Sequence, residues 1–197
     1  RRGRRGDGLG LLGSGTAATP GECERGNGHG KQQDRDRDHP TTALLRARGI
    51  DTIIIEAKSP DYVLSRIRAG VLEQGTQTLL REAKVGERMD REGHVHDGFA
   101  LSFLGRLERI DLNALTGGKT VMVYGQTEVT KDLMDARTQS GSLSFYSADD
   151  VTLHDFYSDK PSVSFTSDGQ KHIVECDYIA GCDGFHGVSR KSVPPES

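Results

Sequence analysis

The residues with the clearest chemical potential lie near the end of the chain, in Cys176-Asp-Tyr-Ile-Ala-Gly-Cys-Asp-Gly-Phe-His-Gly-Val-Ser-Arg190. The run reads as a strand entering Gly181, then Asp183-Gly184, then the start of a helix. Such a junction lets backbone N–H groups approach a phosphate closely, and a carboxylate at the turn can accept hydrogen bonds from ribose hydroxyls. An Asp-Gly pair alone is a plain turn in most proteins, so the weight rests on the whole spacing from Asp177 through Gly181 and Asp183-Gly184 to Ser189-Arg190. A second pattern is Gly8-Leu-Gly-Leu-Leu-Gly13, formally the G-x-G-x-x-G of dinucleotide-binding folds. That fingerprint needs a buried strand before it and a helix after it. Arg1 to Asp7 cannot be a buried strand, and Thr19-Pro20-Gly21 interrupts any helix, so the match is read as coincidence.

The elements that would position the Asp-Gly junction begin after residue 40. A helix end in Ala43-Leu-Leu-Arg-Ala-Arg48 is followed by a Gly49 cap and the strand Thr52-Ile-Ile-Ile-Glu56. A continuous β-branched run suits a strand covered on both faces, which favours a parallel α/β sheet. Gly70 to Met89 reads as one helix, and Phe99 to Asp111 as two short strands turning at Gly105-Arg106. Thr116 to Lys119 is a turn, followed by a strand Thr120 to Tyr124 and a helix Thr127 to Thr138, whose Val129, Leu133 and Ala136 share a face. Strands are expected at Leu143 to Tyr146, Val151 to Phe156, Ser162 to Thr166 and His172 to Ala180, with Asp168-Gly169 as a hairpin turn. The pattern is α/β with antiparallel insertions.

Composition limits the partners. The chain has 197 residues, long enough for one sizeable core, and a formal net charge of −3, too small to indicate a polyanion. Hydrophobic content is 34%, and the deficit is concentrated in residues 1–40, where Leu9, Leu11 and Leu12 are the large aliphatic residues. That stretch shows neither helical nor strand periodicity and is expected to be disordered or mistranslated. Its Arg1-Arg-Gly-Arg-Arg-Gly6 start resembles an RGG arm, but no aromatic residue interleaves the arginines, so nucleic acid is not expected as a partner. Three cysteines without C-x-x-C spacing fit reduced thiols better than a disulfide framework or a metal site. No apolar run approaches the roughly 20 residues of a membrane span, which makes the cytoplasm the default location.

In family order with the Asp-Gly segment stand Pro60-Asp-Tyr-Val-Leu-Ser-Arg-Ile-Arg-Ala-Gly-Val-Leu-Glu-Gln-Gly75 and Val123-Tyr-Gly-Gln-Thr-Glu-Val129. Together these segments resemble the flavin-dependent aromatic hydroxylase family, in particular its 4-hydroxybenzoate 3-monooxygenases, from Leu44 to Pro194. The resemblance implies a glutathione-reductase-like, Rossmann-type FAD-binding domain over residues 41–197, incomplete, with the start of the substrate-domain insertions. It also implies non-covalent FAD, NADPH as reductant, molecular oxygen and a phenol such as 4-hydroxybenzoate as substrates, and a homodimer for the full-length protein. By the same resemblance, Glu56 accepts the adenosine ribose hydroxyls, a role that suits a strand-end carboxylate. Arg68 and Gln126 bind the pyrophosphate and ribityl region of the flavin, and Asp183 with Gly184 touches FAD. Tyr62 and Arg66, within Lys58 to Arg66, lie near the NADPH 2′-phosphate, and Arg68 with His186 near its pyrophosphate. Ala57-Lys58 stands where NADPH-preferring members often carry an arginine, which puts strict NADPH preference in doubt.

The chain departs from the family at both ends. The fingerprint should precede Glu56 by about 20 residues, yet counting back lands in the charged, glycine-poor Lys31 to Asp38. The simplest explanation is a frameshifted or mispredicted start joined to a genuine coding region near Thr41. The substrate-binding sheet and the second flavin-contacting motif come later in the family, so no catalytic residue is named here. The expected reading is a fragment of an FAD-dependent hydroxylase, itself inactive; the alternative is a non-catalytic nucleotide-binding module.

Overall fold

Helix-forming and β-branched stretches alternate along the chain, and Glu87–Glu92, Leu112–Thr116, Gln126–Ser140 and Tyr178–Ala180 each run directly into a glycine. The computed structural model describes residues 40–66, 69–184 and 186–194, together with the backbone of Leu9–Leu12 and Ala17–Ala18. The described elements are β1 (Leu9–Leu12), β2 (Ala17–Ala18), α1 (Pro40–Ala47), β3 (Thr52–Ile55), α2 (Pro60–Ser65), β4 (Val71–Leu72) and α3 (Gln74–Glu82). Then come α4 (Glu87–Glu92), β5 (His94–His96), β6 (Gly98–Phe103), β7 (Arg106–Asp111), α5 (Leu112–Thr116), β8 (Val121–Val123) and α6 (Gln126–Ser140). The chain continues through β9 (Ser144–Phe145), β10 (Asp149–His154), β11 (Ser162–Ser167), β12 (Gln170–Glu175), β13 (Tyr178–Ala180) and α7 (Val188–Ser192).

All four residues of β3 are buried, as the unbroken β-branched run requires. It lies inside a four-stranded sheet ordered β13-β1-β3-β9. β3 and β9 are parallel, with Ile54 opposite Ser144 and Ile55 opposite Phe145. β1 is antiparallel to β3 and to β13, so β3 and β13 share one direction with an opposed strand between them. A second sheet is the antiparallel β10-β11-β12-β2, whose β11–β12 hairpin turns at Asp168-Gly169 with φ of 51° and 75°. Those left-handed angles are what Asp-Gly supplies in a two-residue hairpin turn. A third sheet is β4-β8-β5, and among the described residues β6 pairs only with β7.

Two apolar cores result. Ile53 and Ile55 face Val163, Phe165, Val174 and Cys176 across the space between the first two sheets, with Phe145 edge-on to Phe165 at 4.9 Å. On the other side Leu72, Leu80, Met89, Met122, Leu133 and Ala136 join α3, α4 and α6 to the third sheet. The predicted shared face of Val129, Leu133 and Ala136 is buried.

Several expectations are corrected. Residues 1–40 were expected to lack regular structure, but Leu9–Leu12 and Ala17–Ala18 are strands. Two parallel neighbours with unpaired edges are a strong template for any extended segment, and Leu-Gly-Leu-Leu is the apolar run of that stretch. The Gly70 to Met89 helix divides into α3 and α4, because Lys84 takes φ 57° and Gly86 caps the second helix. The first hairpin turns at Leu104-Gly105, both at positive φ, one residue before the expected place. His172 to Ala180 splits into β12 and β13, which belong to different sheets.

Candidate cofactor site at the carboxyl ends of the sheet

The shared direction of β3 and β13 determines where chemistry can gather. Gly10 pairs with both Ile54 and Ala180, so these two residues sit level, two strand spacings or about 10 Å apart. Glu56 and the Gly181 to Gly184 segment therefore leave the sheet at the same end. That end, outside the carboxyl termini of parallel strands, is where open α/β sheets bind ligands.

Glu56 is half-buried, and its Oε1 accepts the Lys58 backbone N–H at 2.8 Å. Its own N–H donates to Phe145 O at 2.8 Å, which ties the strand end to β9. The chain then turns through Ser59, whose hydroxyl caps α2 by accepting the Tyr62 N–H at 3.2 Å, with Pro60 following in the first turn. Tyr62 is exposed at 41% and carries a cation on its ring from either side of the sequence: Lys58 Nζ and Arg66 Cζ each lie 5.6 Å from the ring centre. Arg66 Nη1 also donates to the Tyr62 hydroxyl at 3.3 Å. Half-buried Lys58 and exposed Tyr62 and Arg66 thus form one basic and aromatic cluster beside Glu56.

After Arg66 the chain presses onto the start of α6. Thr127 Oγ1 donates to Arg66 O at 3.3 Å, and the Tyr124 N–H donates to Gly70 O at 2.8 Å. A Cβ on Gly70 would stand 3.0 Å from Gly125 Cα, so glycine is what permits this approach. Gln126, the first residue of α6, is half-buried there, next to the segment that carries Arg66. Arg68 lies outside the described residues.

At the other strand end, Asp183 is buried at 7% exposure and its Oδ2 accepts the Ser189 N–H at 2.9 Å, which makes it a cap for α7. A Cβ on Gly187 would lie 2.0 Å from Asp183 Cγ, and one on Gly181 would lie 2.5 Å from Ser189 Cβ. Both glycines are therefore obligatory, and Gly184 takes φ 70°. The segment expected to bring backbone near a phosphate also folds its carboxylate back onto its own helix. His186 is exposed two residues beyond Gly184.

The structure thus gathers Glu56, Tyr62, Arg66 and Gln126 on one side and holds Asp183, Gly184 and His186 at the neighbouring strand end. Sequence reasoning missed the cation pair on Tyr62 and the obligatory Gly187, although Lys58-x-x-x-Tyr62-x-x-x-Arg66 carries helical spacing that signals the first. Among the described residues no group of three or more His, Cys, Asp or Glu could hold a metal, and no helix is long and apolar enough to cross a membrane.

A dinucleotide needs more than ribose acceptors. Its pyrophosphate is held by a turn that leaves the central strand at its carboxyl end and opens a helix. The residues described do not fit that part. Leu12, the carboxyl-terminal residue of β1, pairs with Thr52 and Tyr178 at the amino ends of β3 and β13, away from Glu56. At the start of α1, Thr42 and Ala43 are buried at 2% and 0% exposure.

Residues 40–196 match the FAD binding domain family. The chain is 54% identical over 153 residues to a p-hydroxybenzoate hydroxylase from Acinetobacter baylyi, an alignment covering 78% of this chain and 38% of that protein. Among solved structures it resembles p-nitrophenol 4-monooxygenase PnpA from Pseudomonas putida, with a TM-score of 0.58 at 14% identity over 70% of this chain and 36% of that one. It also resembles the flavin-dependent monooxygenase PieE, with a TM-score of 0.57 at 17% identity over 80% of this chain and 30% of that one. The chain spans about two fifths of the length of the hydroxylase it matches. It has the mixed α/β, Rossmann-like fold of FAD-binding flavoproteins and belongs, over residues 40–196, to the FAD binding domain family, whose cofactor is FAD.

Proposed function

We propose that residues 40–196 are the FAD-binding portion of an aromatic hydroxylase that converts 4-hydroxybenzoate to 3,4-dihydroxybenzoate. In that reaction one oxygen atom of O2 enters the ring next to the phenol, the other leaves as water, and NAD(P)H supplies the two electrons. The observation that carries the proposal is Glu56 and the Asp183-Gly184 junction at one sheet end, in a chain 54% identical to a p-hydroxybenzoate hydroxylase.

In this reading Glu56 accepts the adenosine ribose hydroxyls and already has a fixed orientation from the Lys58 N–H. Arg68 and Gln126 serve the pyrophosphate and ribityl region, and Asp183 with Gly184 lines the flavin side of β13. The Tyr62 and Arg66 cluster suits the 2′-phosphate of NADPH, since a planar guanidinium beside an aromatic ring offers both charge and a stacking face. Lys58 adds a second cation to that cluster, which offsets the absence of an arginine at Ala57. Arg68 and His186 serve the pyrophosphate of NADPH. The flavin supplies the redox and oxygen chemistry, and no catalytic residue is assigned within this chain. The same reading carries a homodimer and a cytoplasmic location for the whole protein. The second reading, a module without turnover, is favoured by the reversed direction of β1.

The test is a chimera in which residues 44–194 replace the matching part of the Acinetobacter enzyme. Flavin-loaded chimera that oxidises NADPH only with 4-hydroxybenzoate and releases 3,4-dihydroxybenzoate supports the proposal. A chimera that binds no FAD, or that binds FAD but does not oxidise NADPH, would overturn the proposal.

A further inference from the structure

A slot between two strands of common direction can be filled by a strand of either direction, because each edge presents alternating N–H and C=O groups. Only a parallel occupant delivers its carboxyl end to the side where Glu56 and Asp183 stand. β1 is the other kind. Leu9 pairs with Ile55 and Leu12 with Thr52 on one side, and Gly10 pairs with Ala180 and Leu12 with Tyr178 on the other. The chain therefore enters the slot at the ligand end of the sheet and leaves at the opposite end. Of the formal G-x-G-x-x-G, Gly10 lies within β1, whose carboxyl-terminal residue Leu12 pairs with Thr52 at the end remote from Glu56.

We infer that β1 is a reversed surrogate strand: it satisfies the hydrogen bonds of β3 and β13 and, by doing so, occupies the place a phosphate-binding strand needs. The folded chain keeps its sheet and does not retain FAD. Three observations converge on this. β3 is buried along its whole length and its backbone must be paired. The apolar Leu-Gly-Leu-Leu run is the part of residues 1–40 able to enter a buried sheet. The helix that precedes β3 has its first-turn residues Thr42 and Ala43 packed against protein, with no described strand feeding it from the ligand end. β1 is thus an autoinhibitory contact, whose removal without a parallel replacement would open the sheet.

Strand direction is read by cross-linking in the full 197-residue chain, with Cys23 and Cys182 changed to serine and Cys176 to alanine. Leu12→Cys with Thr52→Cys places two thiols on register partners and is expected to close a disulfide under mild oxidation. Leu9→Cys with Thr52→Cys separates them by three residues, about 10 Å along the strand, and is expected not to close. The unaltered chain, mixed with excess FAD and desalted, is expected to carry less than about a tenth of a flavin per protein. Preferential closure of the Leu9 and Thr52 pair, equal closure of both, or stoichiometric flavin would each overturn the inference. If the cysteine variants do not fold, amide exchange on the unaltered chain decides instead. Protection at Ile53 and Ala180, whose N–H groups face β1, comparable to that at Val163 in β11 supports an occupied slot, and free exchange at Ala180 refutes it. None of these readouts involves the chimera, so this inference and the hydroxylase proposal fail separately.

Discussion

Asp183 illustrates how one side chain can serve the fold and the site together. Its carboxylate caps α7 through the Ser189 N–H and fills the space that any side chain at Gly187 would need. Gly187→Ala is expected to lower stability by about 3 kcal/mol, since overpacking beside a buried acid cannot be relieved by rotation. A urea midpoint unchanged within error would mean that Asp183 is not lodged there. In the chimera, Asp183→Ala is expected to weaken flavin retention after dialysis, because the turn loses its acceptor and the helix its cap. Full occupancy would count against the assignment. Arg66→Ala should raise the KM for NADPH more than that for 4-hydroxybenzoate, since a phosphate contact is lost, and equal effects would contradict the role. The Asp-Gly turn was legible because its spacing is local. The need for Gly187 was not, because it depends on where Asp183 folds back.

At the scale of elements, two polar ties hold the layers in register. Arg137, on the inner face of α6 and 2% exposed, donates to Thr52 O at 2.7 Å, Leu143 O at 2.6 Å and Ser144 Oγ at 2.6 Å, which joins α6 to both β3 and β9. Arg137→Lys should cost about 2 kcal/mol in chemical denaturation, because a single ammonium cannot reach acceptors spread around a planar fork. The other tie is Arg88, which pairs with Asp132 at 2.8 Å and with Glu128 while lying 5.8 Å over the Tyr124 ring. Tyr124 donates its hydroxyl to Asp132 at 2.6 Å. Burial first, and the Asp132 acceptor second, push its pKa above the ordinary value. The folded chain therefore keeps a proton that the unfolded chain releases near pH 10. The contribution is complete below that pH and is lost as the pH rises beyond it. Tyr124→Phe should flatten the alkaline fall in stability between about pH 10 and 11, and an unchanged profile would contradict this. The helical face of α6 was legible from its 3.6-residue period, whereas the break between α3 and α4 was hidden because Lys84, not a glycine, takes the left-handed angle. α2 was missed because only its Ser59 cap and Pro60 announce so short a helix.

At the scale of the whole molecule, the sheet's direction decides what the chain can hold. The buried strand β3 and the β11–β12 hairpin at Asp168-Gly169 follow from a β-branched run and turn residues that read the same in isolation as in the fold. The partner of β3 and β13 could not be read that way. Strand pairing is non-local, and Leu9–Leu12 enters the sheet because two long-range edges need an occupant. Family membership belongs to residues 40–196, while the element that would complete a phosphate site runs backwards. The most direct measurement compares flavin absorbance per protein after desalting for two samples: the chimera carrying residues 44–194 and the unaltered 197-residue chain. Close to one FAD per chimera and close to none per unaltered chain is the expected pair of values. Flavin absent from the chimera, or stoichiometric in the unaltered chain, would contradict the assignment of Glu56 and Asp183 to an FAD site that β1 leaves without its phosphate cradle.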